Sequence, residues 1–90
     1  MAAARTFRIV NAKGLHARAS AKFVEVVEGH DARALVGKDG MEVSGDSIMG
    51  LLMLAASRGT TIDVQTSGQE AEKLADALEA LVAARFGEDY

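Results

Sequence analysis

Polar and apolar residues alternate through RTFRIV (5–10), which puts Phe7 and Ile9 on one side and predicts a strand of about six residues. NAKG (11–14) supplies turn residues. The period then lengthens. In HARASAKFVEVVEG (16–29), Phe23, Val24 and Val27 recur at helical spacing, small Ala17 and Ser20 continue the stripe, and Gly29 marks a stop. The valines would also suit a strand, but the richness in Ala and Glu decides for a helix. ARALVGKDGMEVSG (32–45) predicts a hairpin turning at GKDG, with Ala34 and Val36 on one face and Leu35 on the other. GDSIMGLLMLAASRG (45–59) predicts a second helix, with Asp46 and Ser47 as N-cap types and Gly59 at its end. TTIDVQT (60–66) alternates again, with Ile62 and Val64 facing one way. SGQEAEKLADALEALVAARFG (67–87) predicts a long helix that buries Ala71, Leu74, Ala75, Leu78, Leu81 and Val82, with Ser67 and Glu70 at capping-box spacing. EDY (88–90) remains as a polar tail.

The order is β-α-β-β-α-β-α. It predicts an α+β protein, a two-layer open-faced sandwich in which three helices cover a mainly antiparallel four-stranded sheet. At 90 residues there is chain for one core, so residues 1–90 are expected to form a single domain. No internal repeat, low-complexity segment or linker interrupts it.

Composition narrows the chemistry. With 49% hydrophobic and 26% charged residues the chain suits a soluble globular domain, and with no Trp, no Pro and one Tyr the core must be aliphatic. The absence of cysteine removes disulfides, thiolate metal sites and cysteine nucleophiles, and favours a cytoplasmic setting. The start, MAAARTF, lacks the apolar stretch of a signal peptide, and no run reaches transmembrane length. A net charge of −3 with scattered basic residues argues against a nucleic-acid partner. Two distant histidines without ligand-spaced carboxylates argue against a metal, and no loop is suited to a nucleotide. His30, after Gly29, reads as a loop or strand-edge residue.

His16 is the chemical candidate. At the start of the first helix, the amides around Ala17 and Arg18 lack intrahelical partners and the helix dipole favours an anion. Arg18 adds a guanidinium able to grip a phosphate-like group. An unprotonated imidazole there is a nucleophile near neutral pH, suited to accept a phosphoryl group as a phosphoramidate. Histidine is also tolerated at helix starts with no function. The second helix is apolar almost all round: Leu51 and Leu54 suit the core, which leaves Ile48, Met49 and Leu52 as a candidate docking patch unless all pack inward. Ser47 needs no role beyond capping.

NAKGLHARASAKFVEVVEG (11–29), followed by GDSIMGLLML (45–54), resembles the HPr family, the histidine-containing phosphocarriers of the bacterial phosphoenolpyruvate-dependent phosphotransferase system. The similarity runs over roughly residues 7–86. It implies that His16 is phosphorylated on Nδ1 by enzyme I, with phosphoenolpyruvate as the original donor. The carrier then passes the group to a IIA-type protein for sugar uptake or regulation. Arg18 matches the arginine that neighbours the phosphoryl group, and Ile48, Met49 and Leu52 match the partner-binding patch. Ser47 falls where many members carry a regulatory serine, the target of HPr kinase/phosphorylase. Asp46 departs from the lysine often found before it. The family commonly has proline where this chain has Ala19. That substitution, with VEGHDA, resembles nitrogen-type and alphaproteobacterial members. The resemblance implies a cytoplasmic carrier, expected to be monomeric, with no cofactor; it is chemically changed in each cycle rather than an enzyme, although a transferase classification is compatible with it. A different class of function, a small-molecule-binding regulatory module, is open to an α+β sandwich of this size, because fold alone does not decide function.

Overall fold

A computed structural model describes residues 1–90. The strands turn alternate residues inward. In β4 (Thr61–Ser67), Ile62, Val64 and Thr66 are buried while Thr61, Asp63, Gln65 and Ser67 are exposed. That strict alternation fixes register, because a slip of one residue would turn the buried set into water. β4 pairs with β1 (Ala2–Arg8) on one side, Phe7 opposite Ile62, and with β2 (Arg33–Lys38) on the other, Val36 opposite Val64. β3 (Met41–Ser44) completes the sheet, in the order β1-β4-β2-β3 with every pair antiparallel. Asp39 and Gly40, both with positive φ, make the two-residue turn between β2 and β3. This is the backbone a tight hairpin needs.

Three helices cover the buried face: α1 (Ala17–Glu28), α2 (Ile48–Met53) and α3 (Ala71–Ala83). The core joins Phe23 and Val27 of α1, Leu51 of α2, and Leu74, Leu78 and Val82 of α3 to the inward residues of the strands. Leu35 faces out at 43% exposure, so the far side of the sheet is open. None of the helices is long and apolar enough to cross a membrane.

Five details depart from the sequence pattern, the first being that α3 stops at Ala83 instead of running on to Gly87, because Arg85 and Phe86 turn left-handed. β1 begins at Ala2, because all of 2–8 pairs with β4; the pattern signalled only 5–10, since alanines give no alternation. In α1 the buried small residues are Ala19 and Ser20, while Ala17 is exposed: the stripe enters the core one turn later than the spacing suggested. α2 has six residues and does not reach Gly59. Ala55 turns left-handed (φ 50°), after which the chain runs back along the segment preceding α1. The Ser67–Glu70 capping box does not form. Ser67 ends β4, and the Glu70 carboxylate instead accepts the Asp31 amide (2.7 Å) while the Glu70 amide donates to the Asp31 carbonyl (2.9 Å). The amide holds the Glu70 carboxyl below its ordinary value.

One glycine governs where α1 begins. Gly14 has φ 65°, and a β-carbon there would lie 2.4 Å from the Ala56 carbonyl oxygen and 2.9 Å from Ser57 Cα. Gly59 also has positive φ (90°) but faces open space. Gly14→Ala is therefore expected to cost about 2 kcal/mol or more in urea unfolding, and Gly59→Ala about 1 kcal/mol, the left-handed penalty alone. Equal costs would show that the backbone contact at Gly14 is relaxed in solution.

Candidate functional site

The segment before α1 is held from three sides. Gly59 and Thr60 exchange backbone hydrogen bonds with Ile9 (2.8 and 2.9 Å), extending the β1 edge. The Leu15 amide donates to the Ala56 carbonyl (2.9 Å). The buried Asn11 side chain donates from Nδ2 to the Gly14 carbonyl (2.8 Å). With residues 9–15 fixed, His16 becomes the N-cap of α1 in extended conformation (φ −76°, ψ −177°). Its carbonyl accepts the first helical bond, from Ser20 (2.8 Å), and the amides of Ala17, Arg18 and Ala19 find no backbone acceptor. Its side chain does not cap the helix.

The imidazole is occupied on one nitrogen only. Nε2 is hydrogen bonded to Glu88, whereas Nδ1 has no partner in the protein. The Glu88 carboxylate arrives by a forced route. Beyond α3, Arg85, Phe86 and Gly87 all have positive φ (57°, 54° and 79°). Such conformations cost non-glycine residues about 1–2 kcal/mol each, so something must hold them. Phe86 is fully buried in the core, Lys22 Nζ donates to its carbonyl (2.6 Å), and the Ala12 amide donates to the Tyr90 carbonyl oxygen (3.0 Å). The tail is thus stitched across the His16 loop. Asn11 Nδ2 donates a second bond to Glu88 Oε1 (3.0 Å). That bond, ahead of the hydrogen bond and charge of His16 and the charge of Lys13, holds the Glu88 carboxyl below its ordinary value against the opposing effect of desolvation.

An open cavity of about 640 Å³ lies over this junction, with Lys13, His16, Arg18, Lys22, Glu88 and Asp89 on its walls. His16 and Arg18, paired by the sequence, therefore share one surface. Arg18 is exposed and forms no ion pair within the chain, so its guanidinium is available to an incoming anion. Ser47 lies apart, as N-cap of α2; its Oγ accepts the Gly50 amide (3.0 Å), and neighbouring Asp46 accepts from Ser44 (2.6 Å). On α2, packed against α1, Leu51 is buried whereas Ile48 (41%), Met49 (70%), Leu52 (37%) and also Met53 (63%) are exposed. Leu54, just past the helix, is buried as expected. His30 sits in the turn after α1 and donates from Nδ1 to the Val26 carbonyl (2.7 Å).

Glu88, Asn11 and Lys22 were not singled out by sequence reasoning. EDY read as a polar tail, yet it is part of the site. Nothing in the spacing of 67–87 marks the break after Ala83 that lets the tail turn back. A second cavity, about 530 Å³, opens on the uncovered sheet face between Ala2, Ala4, Leu35 and Gln65; Arg33 is the only charged residue on its walls.

Comparison with known proteins places this geometry in a family. The family model described as the HPr component phosphorylation site of the phosphotransferase system matches residues 3–84. The phosphocarrier protein HPr of Cupriavidus necator is 43% identical over 84 residues, 93% of this chain and 94% of that protein. The phosphocarrier protein NPr of Escherichia coli, a nitrogen-type member, is 37% identical over 90 residues, 99% of this chain and all of that one. Among solved structures, an HPr from Thermoanaerobacter tengcongensis superposes with a TM-score of 0.93 at 34% identity, covering 98% of this chain and 99% of that one.

The lowered Glu88 carboxyl sets the acid limit of the docked tail. Its folded value lies below its unfolded one, so its contribution is complete above the unfolded value, about 4.3, and is lost as pH falls through the lowered value. The Ala12 amide resonance, a reporter of the Tyr90 bond, is expected to stay in its docked position at about pH 5 and to move only below about pH 4. Movement already at about pH 6 would mean that Glu88 does not hold the tail.

Proposed function

This chain belongs to the HPr family of phosphocarriers of the phosphotransferase system, and on that footing we propose that His16 is its phosphoryl acceptor, on Nδ1. The observation that carries the assignment is the division of the ring: Nε2 is engaged by Glu88 and Nδ1 is left as the free nucleophile, at a helix start with three unpaired amides. The Nδ1 lone pair attacks phosphorus, and the bond from phosphorus to the donor breaks with its electron pair returning to the donor. Water takes no part. Onward transfer reverses these roles against the next acceptor. The protein is a carrier, chemically altered in each half-cycle, and its partners supply the catalysis.

Reversibility favours moderate grip. First-turn amides and one mobile guanidinium, Arg18, neutralise part of the phosphoryl charge without caging it. Ala19, where the family commonly has proline, keeps an amide in that first turn. Enzyme I is the donor in this reading and a IIA-type protein the acceptor, both in the cytoplasm and both docking on Ile48, Met49 and Leu52, with Met53 widening the patch. Such apolar, Met-rich surfaces adapt to several partners. Relatives include both an HPr and a nitrogen-type carrier, so sugar uptake and regulation are both within the family's range.

Ser47 is the regulatory position. A phosphoryl group there adds roughly −2 charge. The Gly50 amide already points at Oγ and would accommodate it, so the carrier stays folded. The same charge beside Ile48 would have to be desolvated on docking, which weakens partner binding.

With enzyme I and phosphoenolpyruvate, the protein is expected to acquire an acid-labile, base-stable phosphoryl adduct that His16→Ala abolishes. Failure of the wild-type protein to form it, or its persistence in the variant, would refute the assignment. Arg18→Ala is expected to slow transfer about 10- to 100-fold while leaving thermal unfolding unchanged; a large loss of stability would indicate a structural role. Ser47→Asp is expected to weaken enzyme I binding with no loss of fold, and undiminished binding would remove Ser47 from regulation.

A further inference from the structure

We propose that Glu88 is a positioning residue for the phosphoryl acceptor: its carboxylate holds the proton on His16 Nε2, which selects Nδ1 as the nucleophile and keeps the phosphorylated ring ready to release its cargo. The inference rests on the carrier reading above and adds a role for the tail. Four observations converge on it. Glu88 contacts Nε2 and leaves Nδ1 free. Asn11, buried and fixed by the Gly14 carbonyl, aims Nδ2 at the other Glu88 oxygen and so orients the carboxylate. Three consecutive left-handed residues deliver the tail, a conformation that persists only where the surroundings enforce it. Lys22 and Ala12 tie down its two ends.

The proton balance gives the arrangement its use. When Nδ1 of a ring protonated on Nε2 attacks phosphorus, the ring becomes a cation. Glu88 faces that new charge directly, as a buried carboxylate faces the imidazolium of a hydrolytic triad. The proton stays on Nε2, so when the next acceptor attacks, the departing group is neutral imidazole rather than imidazolate. The carboxylate and the phosphoryl group sit on opposite nitrogens, and Arg18 and Lys13 line the same cavity to offset their combined negative charge. Lys22 and Asp89 complete the charged groups around the ring.

Glu88→Gln tests this, because the amide fills the same space but its oxygen carries no charge, so it holds the Nε2 proton more weakly and cannot offset a cationic ring. The first measurement needs no partner: in nitrogen-15 labelled protein at about pH 8.5, above the ordinary imidazole range, wild type should show a slowly exchanging Nε2–H proton that Glu88→Gln loses. The Ala12 amide resonance reports whether the tail remains docked, and Glu88→Asp should recover part of the Nε2–H signal. The second measurement is transfer from enzyme I and on to a IIA acceptor, expected to fall at least about tenfold in Glu88→Gln, with the thermal midpoint essentially unchanged. An Nε2–H signal indifferent to the substitution, or transfer within about twofold of wild type, overturns the proposal. So does a tail that undocks while transfer is unaffected. Failure of wild type itself to be phosphorylated would refute the carrier assignment instead, and the Nε2–H signature would still stand or fall on its own.

Discussion

Backbone lies against backbone where the loop before α1 crosses the segment after α2, and at that crossing only a residue without a side chain fits. Gly14 meets the Ala56 carbonyl and Ser57, and the neighbouring Leu15 amide bonds to that same carbonyl. Everything chemical follows from that contact. It fixes the entry angle of α1, makes His16 the N-cap rather than a residue inside a helical turn, and aligns the unpaired amides beside it. It also explains the short α2: the left-handed Ala55 turns the chain so that Ala56 can reach Leu15. A longer helix would carry that carbonyl away.

The second constraint works from the other end of the chain. Phe86 is buried beyond the end of α3, and two residues later Glu88 reaches the imidazole. The core therefore orders the tail, and the tail holds the His16 imidazole. Charge elsewhere is peripheral. Arg5 lies among Glu72, Asp76 and Glu79, and Asp76 foremost, then Glu79, raises its pKa against desolvation, but the pairs are solvent-exposed and contribute little to stability.

What the sequence made legible was what depends on period. Ile62 and Val64 in β4, Leu74, Leu78 and Val82 in α3, and the outward Leu35 each followed from spacing alone. Leu81 is only half-buried, at the margin of that stripe. His16 and Arg18 were legible because a helix start has the same chemistry in any fold. The three-residue tail was not, since its position depends on left-handed turns at Arg85 and Phe86, a conformation those residue types do not advertise. The role of Glu70 was misread for a related reason. Capping-box spacing is local, and the winning partner, Asp31, is distant in sequence.

The bond between Ala12 and Tyr90 has a thermodynamic consequence. Glu88 reaches His16 only while that bond and the Phe86 anchor hold, so local opening of this segment and loss of the imidazole contact are one equilibrium. A partner that recognises the ordered form draws the population towards it and, by reciprocity, stiffens the end of α3. Docking at the imidazole would then be felt through the buried Phe86 ring as slower opening of a helix that the partner does not touch.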